Sequence, residues 1–164
     1  MKIALVGAFD RYNYGDILMP IIMHNQIIDN LNIKNIEFSY YGLFESDMSK
    51  CKGYSTNALS ELKNKEVDVV IFVGGEILTS RYTGMYLNTL NNKFKIFYFK
   101  SMRRLFNSFT ENICRKKTGL GYLKPWIPNK NDFKTHKIIY NTVGGNLFFG
   151  TDKDSVTSVI NNIN

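Results

Sequence analysis

Val67-Asp68-Val69-Val70-Ile71-Phe72-Val73-Gly74-Gly75 decides the fold of this chain. Every residue from Val67 to Val73 except Asp68 is β-branched or aromatic, and the run stops at paired glycines. A short, unbroken apolar run of this kind marks a strand buried on both faces, as in a parallel sheet.

Outward from there, the same pattern opens the chain: Lys2-Ile3-Ala4-Leu5-Val6 ends at Gly7. A loop from Ala8 to Gly15 follows, and Asp16 then offers an N-cap to a helix whose first turn takes Pro20. Ile17, Ile21, Ile28 and Leu31 fall at helical spacing, with His24 on the same stripe. Asn35 to Gly42 alternates like a second strand, and Asn57 to Lys65 reads as a short helix carrying Leu59 and Leu62. Strand, helix, strand, helix, strand at these lengths requires crossover connections and a parallel sheet. The fold class expected is α/β, a Rossmann-like parallel sheet flanked by helices, in one domain spanning residues 1–164.

Residues 85–118 divide two signals. Ile96-Phe97-Tyr98-Phe99 in isolation resembles a strand, yet Leu87, Leu90, Phe94, Tyr98, Met102, Leu105, Phe109 and Ile113 step by three and four. No glycine or proline interrupts them, so the segment is expected to be a long basic helical stretch, one helix or two joined by a kink. Pro125-Trp126-Ile127-Pro128 is a rigid loop, Lys137 to Val143 a further strand closed by Gly144-Gly145, and Asp152 to Ile163 a last helix.

With 164 residues, 44% hydrophobic and 14% aromatic, the chain is apolar enough to build a core and too apolar to be disordered. No apolar run reaches the ~20 residues of a membrane-spanning helix, and the first one has strand length, too short for a signal-peptide core. Cys51 and Cys114 lie far apart in no metal-ligand spacing, so reduced thiols in a cytoplasmic protein are expected, with no bound metal. The net charge of +7 is unevenly spread: Arg81 to Lys130 holds eleven Lys or Arg and a single acid, Glu111. Its plain reading is an amphipathic helix covering the sheet with a solvated lysine face. The sharper reading is a face resting on an anionic membrane. No nucleic-acid-reading motif accompanies the charge, and no nucleic-acid partner is expected.

In open α/β sheets ligands bind beyond the carboxyl ends of the strands. Glycines stand at three such ends: Gly7 with Gly15, Gly74-Gly75, and Gly144-Gly145. Glycine there either makes a turn or lets backbone N–H groups approach a ligand closely. The first loop has neither the dinucleotide fingerprint nor the Gly-Lys-Ser/Thr of a Walker loop.

Asn13-Tyr14-Gly15-Asp16 after the first strand, Asp68 to Gly75, the Pro125–Pro128 loop and Tyr140-Asn141-Thr142-Val143-Gly144-Gly145 occur together in this order. In that combination the chain resembles the polysaccharide pyruvyl transferase family. The resemblance implies one half of a two-domain, GT-B-like enzyme that transfers a pyruvyl group from phosphoenolpyruvate to a sugar of a bacterial exopolysaccharide or cell-wall glycan. It implies phosphoenolpyruvate as donor, no cofactor, and a sugar or lipid-linked glycan as acceptor, met at the cytoplasmic face of the membrane. Substrate contacts are expected from Gly7, Asn13, Gly15, Asp16, Gly74, Gly75, Glu76, Gly144 and Gly145. Ile17 stands where the family has an acid, and Glu76 where it has a third glycine. The resemblance further implies a second domain carrying much of the catalytic machinery, so this half is expected to be inactive by itself and to form a homodimer through surface that domain would cover. The rival expectation is a non-catalytic nucleotide- or anion-binding module, or an orphan half-domain acting through a partner.

The same residues also have plainer roles. Asp16 is expected first as an N-cap, Asn13 equally as a loop-closing residue or a sugar contact, and Glu76 as a solvated loop acid. His24 is expected to be a core histidine hydrogen-bonded to backbone, and His136 an exposed one. No residue is assigned to catalysis.

Overall fold

A computed structural model of the chain describes residues 1–31, 35–75, 77–90, 92–122, 124–129 and 131–141. The strands are β1 (Lys2–Val6), β2 (Glu37–Gly42), β3 (Asn57–Ala58), β4 (Glu66–Val73) and β5 (Lys134–Asn141). They form one sheet in the order β3-β2-β1-β4-β5, and every pairing is parallel. The helices are α1 (Tyr14–Asn30), α2 (Leu59–Leu62), α3 (Tyr82–Leu87), α4 (Lys93–Leu105) and α5 (Asn107–Lys117). This is the expected α/β fold, with a Rossmann-like parallel sheet.

The two-residue period of the strands divides the core into two layers. Ile3, Leu5, Ile71 and Val73 point to one face and pack with Met23 and Ile27 of α1. Ala4, Val6, Val70 and Phe72 point to the other, against Leu59, Leu62, Tyr82, Cys114 and Trp126. Phe72 and Tyr140 are register partners on β4 and β5, and their rings stack at 4.8 Å. Trp126 is fully buried, so the Pro125–Pro128 loop is a piece of core.

Several expectations are corrected. Pro20 lies inside α1, beyond its first turn, and is buried. The buried stripe of α1 is Ile17, Pro20, Met23 and Ile27, while Ile28 and Leu31 are exposed. The helix expected from Asn57 begins only at Leu59, because Asn57 and Ala58 extend the sheet beside β2. Of the segment 85–118, expected as one helix or two joined by a kink, residues 85–87, 93–105 and 107–117 are helical, and they belong to three helices, α3, α4 and α5. Asn92 starts α4 by accepting from the N–H groups of Phe94 and Lys95 at 2.9 and 3.3 Å. The second break falls at Phe106, whose carbonyl accepts from the Thr110 hydroxyl at 2.7 Å.

The stripe read as the sheet-facing side of that segment is exposed instead. Phe94, Tyr98, Leu105 and Phe109 are each more than half accessible, and α4 buries no residue. Its anchor is Phe99, whose ring meets Tyr86 of α3 at 5.4 Å. The strand end at residues 142–143, the last helix, Glu76, Gly144 and Gly145 lie outside the described residues.

Candidate functional site

β1 is flanked by β2 on one side and β4 on the other, so the chain changes direction across the sheet between β1 and β4. The crevice above such a switch point is where open α/β sheets bind ligands. Gly7 ends β1 there. A Cβ on Gly7 would lie 2.3 Å from the Val73 carbonyl oxygen and 2.5 Å from the Phe9 ring. Its missing side chain therefore serves the packing of β1 on β4 and opens no path to a ligand. Gly74, at φ +151°, is buried and holds a backbone conformation that L side chains rarely adopt. Gly75 is exposed, with open space where a side chain would project.

The loop after Gly7 folds inward on a buried charge pair. Oδ1 of Asp10 accepts from both Nε and Nη2 of Arg11, the first at 2.7 Å. Oδ2 of Asp10 accepts from the Phe44 N–H at 2.9 Å, and Nη1 of Arg11 donates to the Met85 carbonyl at 3.0 Å. The pair thus ties the β1 loop to the segment after β2 and to α3. Fully engaged inside the protein, Arg11 is no free anion receptor.

From this anchor the chain turns outward into α1. Asn13 occupies the N-cap position with extended backbone, but its side chain caps no helix N–H. It donates instead from Nδ2 to Oδ2 of Asp16 at 2.9 Å. Asp16 is the third residue of α1, so the expected N-cap role is corrected to that of a first-turn acid facing the helix dipole. Burial pushes its carboxyl above the ordinary range; Arg11 and the Asn13 hydrogen bond offset that only in part. Gly15 is exposed in the same turn.

Ala8, Arg11, Asn13 and Asp16 line a cleft of about 510 Å³ together with Met85 and Asn88, in and just after α3. Tyr12 and Tyr14 stand at it 81% and 75% exposed. The cleft therefore offers one carboxylate held by an amide, a buried cation already neutralised, and two phenol rings open to solvent. Such a set accepts hydrogen bonds from hydroxyl groups and presents flat apolar faces to C–H surfaces. Asn13 and Asp16 are brought together here, with Gly15 between them in sequence; Gly7, Gly74 and Gly75 are not among the residues that line the cleft. Sequence reasoning missed Asp10, Arg11, Tyr12 and Tyr14. Adjacent acid and base in a loop between strand and helix is an ambiguous signal, because only tertiary packing separates a buried pair from a solvated one.

A hollow of about 610 Å³ lies at the opposite end of the sheet, where β1, β4 and β5 begin. It holds Lys2, Asp68, Lys134 and His136, and the Lys2 N–H donates to Asp68 at 2.7 Å. That end lacks the switch-point geometry. His24, expected to bond backbone, pairs its Nδ1 with the Tyr40 hydroxyl and lies over Phe38 at 4.2 Å. Among the described residues no three His, Cys, Asp or Glu side chains gather to hold a metal, and no helix is long and apolar enough to cross a membrane. Comparison of the chain with protein-family models, with curated proteins and with solved structures found no match.

Proposed function

We propose that the switch-point cleft is the sugar-acceptor site of a polysaccharide pyruvyl transferase-like protein, working at the cytoplasmic face of the membrane. The observation that carries this reading is the grouping of the Asn13–Asp16 pair with the exposed rings of Tyr12 and Tyr14 in one cleft. Asp16 and Asn13 bind acceptor hydroxyls, and a tyrosine ring stacks on the apolar face of the sugar. The charge balance supports a neutral ligand at this position. Arg11 is hydrogen-bonded to Asp10, which leaves Asp16 without an ion-pair partner among the described residues, and a carboxylate repels a phosphate. The phosphoenolpyruvate donor therefore binds outside this cleft.

NMR titration of the full chain tests the reading, with neutral hexoses and N-acetylhexosamines in one series and phosphoenolpyruvate in another. A saturable sugar response confined to residues 12–16 and 85–88 is expected. Perturbation of those residues by phosphoenolpyruvate or a nucleotide, with none by any sugar, would replace the proposal with an anion-binding module.

A further inference from the structure

The outer face of α4 combines two features that are rarely left uncovered together. Phe94, Tyr98 and Leu105, at steps of four and seven, form one row and are 86%, 68% and 72% exposed. Lys93, Phe97, Lys100 and Arg104, at steps of four, three and four, form the row beside it. Phe97 is 74% exposed, and Phe106 and Phe109 continue the apolar surface past the helix end at 55% and 60%. With roughly 150–250 Å² per aromatic side chain, this patch exceeds the few hundred Å² that a soluble monomer ordinarily shows. Beside it, at the junction of α3, α4 and α5, Arg81, Lys100, Arg103 and Arg104 line an open basin of about 490 Å³. None of these four cations is paired with a carboxylate among the described residues. The one acid of the region is committed elsewhere: Glu111 accepts from the N–H groups of Tyr82 and Thr83 at 2.7 and 3.0 Å.

We propose that the outer face of α4 docks on an anionic lipid bilayer, its aromatic row entering the interfacial layer and the Arg81–Arg104 basin receiving lipid phosphates. Charge selects this occupant over a second copy of the chain. Because Lys93, Lys100 and Arg104 share a row with Phe97, a two-fold contact that buried the aromatics would also press these cations against their own images. A negatively charged bilayer instead attracts the cations and offers the phenylalanine and leucine side chains an apolar acyl boundary, with the Tyr98 hydroxyl left at the headgroup level. Lysine and arginine stems reach past the buried rings to the headgroups. Phe99, as the inward anchor of α4, leaves the whole outer face free for this contact. The inference is independent of the sugar reading of the cleft.

Vesicle flotation of the full chain tests it. Phosphatidylcholine vesicles containing phosphatidylglycerol should bind the protein at least ~10-fold better than phosphatidylcholine alone, and rising salt should weaken that binding. Two variants of exposed residues should each abolish it with an unchanged circular dichroism spectrum: Phe94→Ser with Phe97→Ser and Tyr98→Ser, and Lys100→Glu with Arg104→Glu. Equal binding to both vesicle types, or none to either at low salt, would overturn the proposal. So would a concentration-dependent dimer in sedimentation that the aromatic variant removes, which would assign the face to a second copy.

Discussion

Arg11 and Asp10, neighbours in sequence, fold into a buried pair in which the arginine's Nε and Nη2 share one carboxylate oxygen; the side chains are 4% and 0% exposed. Adjacent residues usually point apart, and both of these point inward because Phe44 and Met85 supply further partners. A buried pair contributes little net stability, yet breaking it strands a charge. Asp10→Ala should therefore destabilise the fold by ~3–5 kcal/mol, read from the urea midpoint at unchanged slope. A loss below ~1 kcal/mol would mean that water reaches Arg11.

Asp16→Asn should behave in the opposite way. Burial raises the Asp16 carboxyl above its ordinary range, so the folded chain holds that proton more tightly than the unfolded chain does. Ionisation thus weakens the fold as pH rises through the carboxylate range, and the penalty persists at neutral pH. The amide variant should be as stable as the native chain or more so at pH 7, with the difference closing in acid where both carboxyl states are protonated. Denaturation curves across that range decide it, and a variant less stable at neutral pH would contradict the sign. Sugar binding should be lost in the same variant, as expected where a costly charge is kept for function.

Gly7→Ala and Gly75→Ala form a matched pair. The added methyl at Gly7 meets the Val73 carbonyl oxygen within the central strands, which cannot yield without parting β1 from β4. A loss of ~1–3 kcal/mol or more is expected there. Nothing lies within 4 Å of the methyl at Gly75, where the change should stay within ~0.5 kcal/mol. Thermal melts of the two variants side by side measure the contrast.

Glu111→Ala removes the acceptor for two N–H groups at the start of α3. A loss of ~1–2 kcal/mol is expected from uncapping them. Because α3 carries Met85 and Asn88, faster amide exchange at residues 82–88 should accompany it. Unaltered exchange there would show that α3 is held by Tyr82 and its bond to the Tyr122 carbonyl.

The two free cysteines should differ sharply toward a thiol reagent. Cys114 is 1% exposed, and burial pushes its thiol up to about 11, so it should stay unmodified until the chain unfolds. Cys51, partly exposed at the end of a short 3-10 turn, should react in the native state. Mass spectrometry before and after adding urea counts the modified sites.

The parallel sheet was legible in sequence because a strand buried on both faces leaves little room for polar residues, and Ile3–Val6 and Val69–Val73 are unbroken apolar runs of that kind. Asn13, Gly15 and Asp16 could be placed together at the join of the first strand and helix for a similar reason, although Gly15, read as the end of the loop, and Asp16, read as the cap, both lie inside the first turn of α1. Which way each side chain faces was beyond sequence. Helical periodicity finds a stripe but is silent on whether anything covers it: the stripe from Phe94 to Ile113 is real and lies outside, while Phe99, off that stripe, makes the inward contact. Nor does local chemistry separate a cap from a first-turn acid, because Asn13 and Asp16 both suit a helix start and the entry angle of the chain chooses between them. The burial of Asp10 with Arg11 needed Phe44 and Met85, far along the chain, to meet above the sheet. Periodicity and turn chemistry act between near neighbours and are written in the sequence, whereas desolvation depends on everything that packs around a group and is decided only when the chain has folded.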